Sequence, residues 1–171
     1  MAEHTGLVTF KGNPITLTGD LIEVGAQAPD VALQKTLMDR VRVASGKGKV
    51  IVLTTAPSVD TGVCATQLRT FNKDVTSLGD DVEVWYVTRD LVFALGRFCA
   101  AEGIDRVKVF SDAIDRELGE AYGLVMKELG LLARAVLVIG RDGVVTYREI
   151  VPEMTSEPDY AAALAAAKAA L

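Results

Sequence analysis

Histidine is almost missing from this chain: one of its 171 residues is a histidine, His4, close to the start. A cysteine–histidine or serine–histidine–aspartate relay therefore has no evident base along the rest of the sequence. Cysteine is scarce too, with Cys64 and Cys99 the two copies. Two cysteines do not build a disulfide scaffold, and with one distant histidine they do not make a zinc ligand set. Their spacing of 35 rules out a CxxC pair. Positive charge is thin, 18 Lys and Arg against 23 Asp and Glu for a net −5, and no stretch gathers the basic residues. That excludes a general nucleic-acid binder, which needs a basic footprint. No apolar run is long enough to span a bilayer. The opening "MAEHTGLVTFKGNPITLTG" lacks the basic start and apolar core of a secretory signal. A cytoplasmic location is the expectation, and there a bond between the two cysteines would form transiently, as chemistry.

What is present is an ordinary globular composition, with half the residues apolar and 24% charged. The length fits one domain spanning residues 1–171. Residues 7–18 read as a β-hairpin, "LVTF", the turn "KGNP" and "ITLTG", with glycine and proline making the turn. A small strand follows at Val31–Leu33, and "KGKVIVLTT" enters an apolar, β-branched strand expected to be covered on both faces. The pattern then becomes βαβα. A helix is predicted from about Thr61 to Leu78, with Cys64, Leu68, Phe71, Val75 and Leu78 on one face. After the strand "DVEVWYVT", Leu91, Leu95, Phe98 and Cys99 share a face of a helix ended near Gly103. "VKVFSD" is a third strand, and Ile114–Tyr122 a short helix. "ARAVLVIGRDGVVTYREI" is a hairpin around "GRDG", and residues 158–171 close the chain as an alanine-rich helix. This order predicts an α/β, thioredoxin-like fold, a central mixed sheet flanked by helices with an N-terminal β-hairpin. A flavodoxin-like sheet would have ended in another parallel unit.

Cys64 falls in the first turn of its helix, where free backbone N–H groups and the helix dipole favour a thiolate. Thr61 either caps that helix or turns its hydroxyl toward the sulfur and a small oxygen-containing substrate; spacing leaves both open. Pro57 stiffens the approach. Arg134 begins the strand "RAVLVI", where a cation can stabilise a thiolate and polarise a substrate oxygen. Arg69 and Arg97, near the cysteines in sequence, read equally well as surface charges. Either cysteine could instead be a small buried core residue. "SGKGK" lacks the phosphate-loop pattern and precedes its strand. Asp60, Asp90, Asp112 and Asp115, near strand ends, are read as loop caps in preference to a magnesium site.

"PSVDTGVC" resembles the active-site segment of the peroxiredoxins, and "GAQAPDVAL" the segment before their first core strand. "FKGNPITLTG", "DLVFALGRFCAAEGI", "AYGLVMKELGLLARAVLVIGRDG" and "EIVPEMTSEPDYAAAL" are similar to the thiol peroxidase branch, the atypical two-cysteine peroxiredoxins. The likeness runs from Leu7 to Leu171. It implies that Cys64 is the peroxidatic cysteine and Cys99 the resolving cysteine of the same chain. It also implies that Thr61 orients the peroxide, Arg134 lies beside the thiolate and Pro57 shields the pocket. The branch implies a homodimer reduced by thioredoxin, with no metal and no bound organic cofactor. Val92, where many relatives carry proline, and Ala56, where an aromatic is frequent, are mild departures. On this reading Cys64 reduces hydrogen peroxide or an organic hydroperoxide, becomes a sulfenic acid and is captured by Cys99. Because a disulfide needs Cα atoms within about 7 Å, one or both helices are expected to shift or unfold locally. The rival readings are a general thiol–disulfide oxidoreductase and a non-enzymatic interaction domain with buried cysteines.

Overall fold

The computed structural model describes residues 1–171. Its first hairpin, β1 (Glu3–Phe10) and β2 (Asn13–Thr18), turns at Lys11 and Gly12, whose φ angles of 48° and 81° are both left-handed. Such a two-residue turn matches the twist of the strands it joins. Glycine takes part in the turn as expected, but Pro14 does not: it lies in β2 opposite Thr9. The missing N–H does no harm there, because the Thr9 N–H points away from β2 and donates to the Pro152 carbonyl at 2.7 Å.

The expected strand at residues 31–33 is β3 (Ala32–Gln34), followed by β4 (Arg40–Arg42) and a short 3-10 turn at Val43–Gly46. Next come β5 (Val50–Thr55), α1 (Gly62–Asp74), β6 (Val82–Thr88), α2 (Val92–Glu102) and β7 (Lys108–Ser111). Gly103 ends α2 with a left-handed φ of 66°, the usual glycine stop. The third helix, α3 (Glu117–Ala121), is shorter than the predicted 114–122. A two-residue strand that the sequence did not announce, β8 (Val125–Met126), precedes β9 (Ala135–Ile139), β10 (Val145–Ile150) and α4 (Tyr160–Ala169). Asp159 caps α4 by accepting from the Ala162 N–H at 2.9 Å.

The main sheet runs β10-β9-β5-β6-β7-β3-β4. β5, β6 and β7 are parallel, while the β9–β10 hairpin and the β3–β4 pair add antiparallel edges. This is the thioredoxin-like α/β arrangement, and every residue of β5 is buried, as an inner strand requires. Alternation divides the strands between two cores. Val50, Val52, Val84, Tyr86, Val136 and Val138 meet Cys64, Leu68 and Phe71 of α1, Leu95 of α2 and Ala163 and Ala167 of α4. Ile51, Leu53, Trp85, Val87, Leu137 and Ile139 pack on the other face with Phe110, Leu118 and Tyr122. The alanines of α4 let that helix lie close on β5, β9 and β10, and its Tyr160 meets Phe71 of α1 edge to face at 5.2 Å. The N-terminal hairpin forms its own three-stranded sheet with β8, and Val8, Ile15, Leu17 and Met126 close over Ala133. No helix is long and apolar enough to cross a membrane.

Candidate active site

The chain leaves the carboxyl end of β5 at Thr55, runs through buried Pro57 and enters α1 with Cys64 as its third residue. Thr61 is the N-cap by backbone, with φ −99° and ψ 146°, but its side chain caps nothing. Its hydroxyl donates instead to the Ser58 carbonyl at 3.1 Å. The hydroxyl therefore neither caps the helix nor bonds the sulfur. The first-turn N–H groups keep no side-chain partner, and the Thr61 oxygen retains its lone pairs.

Cys64 is fully buried. Its carbonyl accepts from the Tyr86 hydroxyl at 3.2 Å, and burial, with the nearby Cys64, holds that hydroxyl well above its ordinary range, so Tyr86 stays a donor. Arg134, immediately before β9 and only 2% exposed, reaches the sulfur with both terminal nitrogens, each 3.5 Å from Sγ. Nη1 also donates to Oε1 of Gln67, and Nη2 to the Met154 carbonyl at 2.9 Å. Gln67 is held in turn, its amide donating to Thr54 Oγ1 at 2.6 Å and to the Thr55 carbonyl at 3.2 Å. The Thr54 and Thr55 hydroxyls then donate to the Ala135 and Ala133 carbonyls, on either side of Arg134. A buried cation is costly unless something nearby carries compensating charge. The oxygens on Arg134 are neutral, which leaves the Cys64 sulfur as the partner able to become anionic. The Arg134 Nε–H, on the side of the guanidinium away from the sulfur, has no hydrogen-bond partner in the protein.

Asp90 ties this loop to the second cysteine's helix. Its carboxylate accepts from Ser58 Oγ at 2.7 Å, the Val59 N–H at 2.8 Å and Thr88 Oγ1 at 2.7 Å, two residues before α2 begins. Cys99 lies near the far end of α2, half-buried and unbonded to Cys64, beside a cavity of about 150 Å³ lined by Lys35, Val92, Leu95, Gly96 and Val109. Burial pushes its thiol above the ordinary 9.0. Arg69 bridges the helices on the surface, pairing with Glu102 at 2.7 Å and lying over the Phe98 ring.

The structure thus brings Arg134 onto Cys64, places buried Pro57 and exposed Thr61 on the loop that leads into α1, and leaves Cys99 on another helix. His4 lies in β1 and donates to the Gly19 carbonyl at 2.9 Å. Gln67, Thr54, Thr55 and Tyr86 escaped the sequence reading. Gln67 had a signal, since it follows Cys64 by three and so shares its helix face. The two threonines ending an otherwise apolar strand were the other clue.

A thioredoxin-like sheet carrying a buried thiol at a helix start, opposite an arginine, defines a cysteine-based oxidoreductase. The Redoxin family profile matches residues 23–164. The chain is 46% identical over 162 residues to the thiol peroxidase of Bacillus subtilis, covering 95% of this chain and 96% of that protein. It is 48% identical over 164 residues to the thiol peroxidase of Halalkalibacterium halodurans, covering 96% and 98%. A solved structure of a peroxiredoxin-like protein from Aquifex aeolicus matches with a TM-score of 0.90 at 37% identity, covering 98% and 99% of the two chains. The chain belongs to the thiol peroxidase family, the atypical two-cysteine peroxiredoxins. It is an enzyme with thiol-peroxidase activity based on cysteine chemistry, which removes the interaction-domain alternative.

Proposed function

We propose that Cys64 is the peroxidatic thiol of this enzyme and Cys99 its resolving partner in the same chain. The observation that carries the first assignment is the Arg134 fork, with two N–H groups 3.5 Å from a buried sulfur at a helix start. The Cys64 thiolate attacks one oxygen of hydrogen peroxide or an organic hydroperoxide. The S–O bond forms as the O–O bond breaks, and the departing oxygen takes a proton and leaves as water or an alcohol. Charge developing on the oxygens is met by the two terminal nitrogens of Arg134 and by the uncapped N–H groups at the start of α1. Thr61, its own proton engaged by Ser58, accepts from the peroxide hydroxyl and orients it. Pro57 keeps the approach narrow.

Cys64 is then a sulfenic acid. The Cys99 sulfur attacks it, a disulfide forms and water leaves. The two thiols are unbonded and lie on different helices, Cys64 buried and Cys99 half-buried, and on this reading one or both helices open for the step. The oxidised pair is reduced by exchange with an external dithiol protein of thioredoxin type. We place the enzyme in the cytoplasm as a homodimer. Leu91 and Phe93, 55% and 65% exposed at the start of α2, offer apolar surface to a second copy or to the reductant. No resident metal or organic cofactor enters these steps.

The test is intact mass and peptide mapping after one equivalent of peroxide is added to reduced protein. The reading predicts loss of two hydrogens and one Cys64–Cys99 crosslinked peptide in an uncrosslinked chain. An unchanged mass overturns both assignments. One oxygen retained on Cys64 overturns the role of Cys99 alone.

A further inference from the structure

The N-terminal hairpin takes no part in the steps above, yet it grips the segment that holds Arg134. At its tip, the Lys11 and Gly12 N–H groups donate to the two Glu153 carboxylate oxygens at 2.9 and 3.2 Å. Thr9 Oγ1 donates to Glu153 Oε2 at 2.7 Å. From its own side, Glu153 also accepts from the N–H and hydroxyl of Thr155, at 3.1 and 2.9 Å. These donors, Thr9 first, outweigh desolvation and hold the Glu153 carboxyl down at about 2, so the clamp is ionised at any ordinary pH. Two backbone bonds flank it, from the Thr9 N–H to the Pro152 carbonyl at 2.7 Å and from the Met154 N–H to the Thr9 carbonyl at 2.8 Å. Residues 152–154 are thereby laid along the free edge of β1, although they belong to no strand of either sheet.

The carbonyl at the end of this clamped run is that of Met154, the acceptor for Arg134 Nη2. The guanidinium plane is set by two acceptors, Gln67 on Nη1 and Met154 on Nη2. Gln67 is anchored on β5; the Met154 carbonyl is anchored through β1. A planar fork held at one corner can rotate away from the sulfur, and one held at both cannot. The same hairpin packs its small core over Ala133, the residue before Arg134.

We propose that Glu153 is a positioning residue: through the β1–β2 turn it fixes the Met154 carbonyl, which aims Arg134 at Cys64. This rests on the assignment of Cys64 and Arg134 above, and it gives the N-terminal hairpin a part in the reaction.

The test measures the second-order rate constant for peroxide in Glu153→Ala and Thr9→Val chains, each with and without Arg134→Ala. Glu153→Ala is expected to slow the reaction about tenfold, less than the hundredfold a misplacement of about 1 Å can cost. The pH profile of the rate should move to higher pH, as expected when a cation withdraws from a thiolate. Thr9→Val removes one donor and leaves residues 152–154 untouched, so it should give a smaller loss in the same direction even if Glu153→Ala folds poorly. In the Arg134→Ala background both changes should add less than about twofold, because their effect passes through the arginine. An unchanged rate in both single variants overturns the proposal, as does an equal loss with and without Arg134. Peroxide consumption that survives Cys64→Ala overturns the site assignment itself; consumption abolished by Cys64→Ala but unchanged in Glu153→Ala overturns the positioning role alone.

Discussion

α1 buries Cys64, Ala65, Gln67, Leu68 and Phe71, whereas α2, only two residues shorter, buries Leu95 and nothing else. Around Cys64 the side chains of Arg134, Gln67, Thr54 and Thr55 are tied into one network, with Tyr86 on the Cys64 carbonyl. Around Cys99 there is a small cavity, a glycine and partly exposed apolar residues. The contrast follows the chemistry. Attack on a peroxide needs a sulfur and its donors held in fixed geometry, since misplacement is costly. Resolution needs a second sulfur that can travel, and travel is cheap where few apolar contacts must be broken. On the proposed assignment, one fold keeps the attacking cysteine in the core and the resolving cysteine on a loosely packed helix.

Removing the arginine breaks the contrast from the rigid side. Arg134→Ala is expected to slow single-turnover reaction with peroxide by about 10²–10³-fold, the usual loss for a buried donor aimed at a developing charge. It also strands the buried Gln67 oxygen, at a cost of about 1–3 kcal/mol, and frees the half-buried Met154 carbonyl, at a smaller one. Urea unfolding should record that loss alongside the rate. A loss below tenfold would mean that the helix-start N–H groups suffice.

The loose side is sharpened by pH. Burial raises the Cys99 thiol above its ordinary 9.0. The folded helix thus prefers the neutral thiol, so this contribution to its stability is complete below pH 9 and is lost as pH rises through the folded value. In a Cys64→Ser chain, alkylation of Cys99 should keep climbing with pH past the point where the same thiol in urea levels off, by a few-fold. Coincident profiles would mean that Cys99 is already solvated and that α2 needs no opening.

Much of the scaffold could be read from the chain. Continuous apolar, β-branched runs pointed to β5 and β6, and the position of Cys64 at a helix start and of Arg134 at a strand start were both legible. The stripe proposed for α2 was less so. Leu91 fits its spacing, but its ψ of 150° places it outside the helix, where it is exposed. The shell around Arg134 was hidden for a different reason. Gln67 lies close to Cys64 in sequence, yet its partners are Thr54 and Arg134, one of them 67 positions away. The other acceptor on Arg134 is a backbone carbonyl, which every residue has, so nothing in the letter Met at 154 marks it. Glu153 reaches Thr9 across 144 positions, a pairing that periodicity and local propensity do not report.

Native-state hydrogen exchange of the reduced enzyme, resolved to single amides, tests the difference between the two cysteine helices most directly. The amides of Val92–Glu102 should open with a free energy well below that of the later turns of α1 and of β5, so that α2 exchanges first. Equal protection across α1, α2 and β5 would contradict it, because Cys99 would then be as tightly held as Cys64.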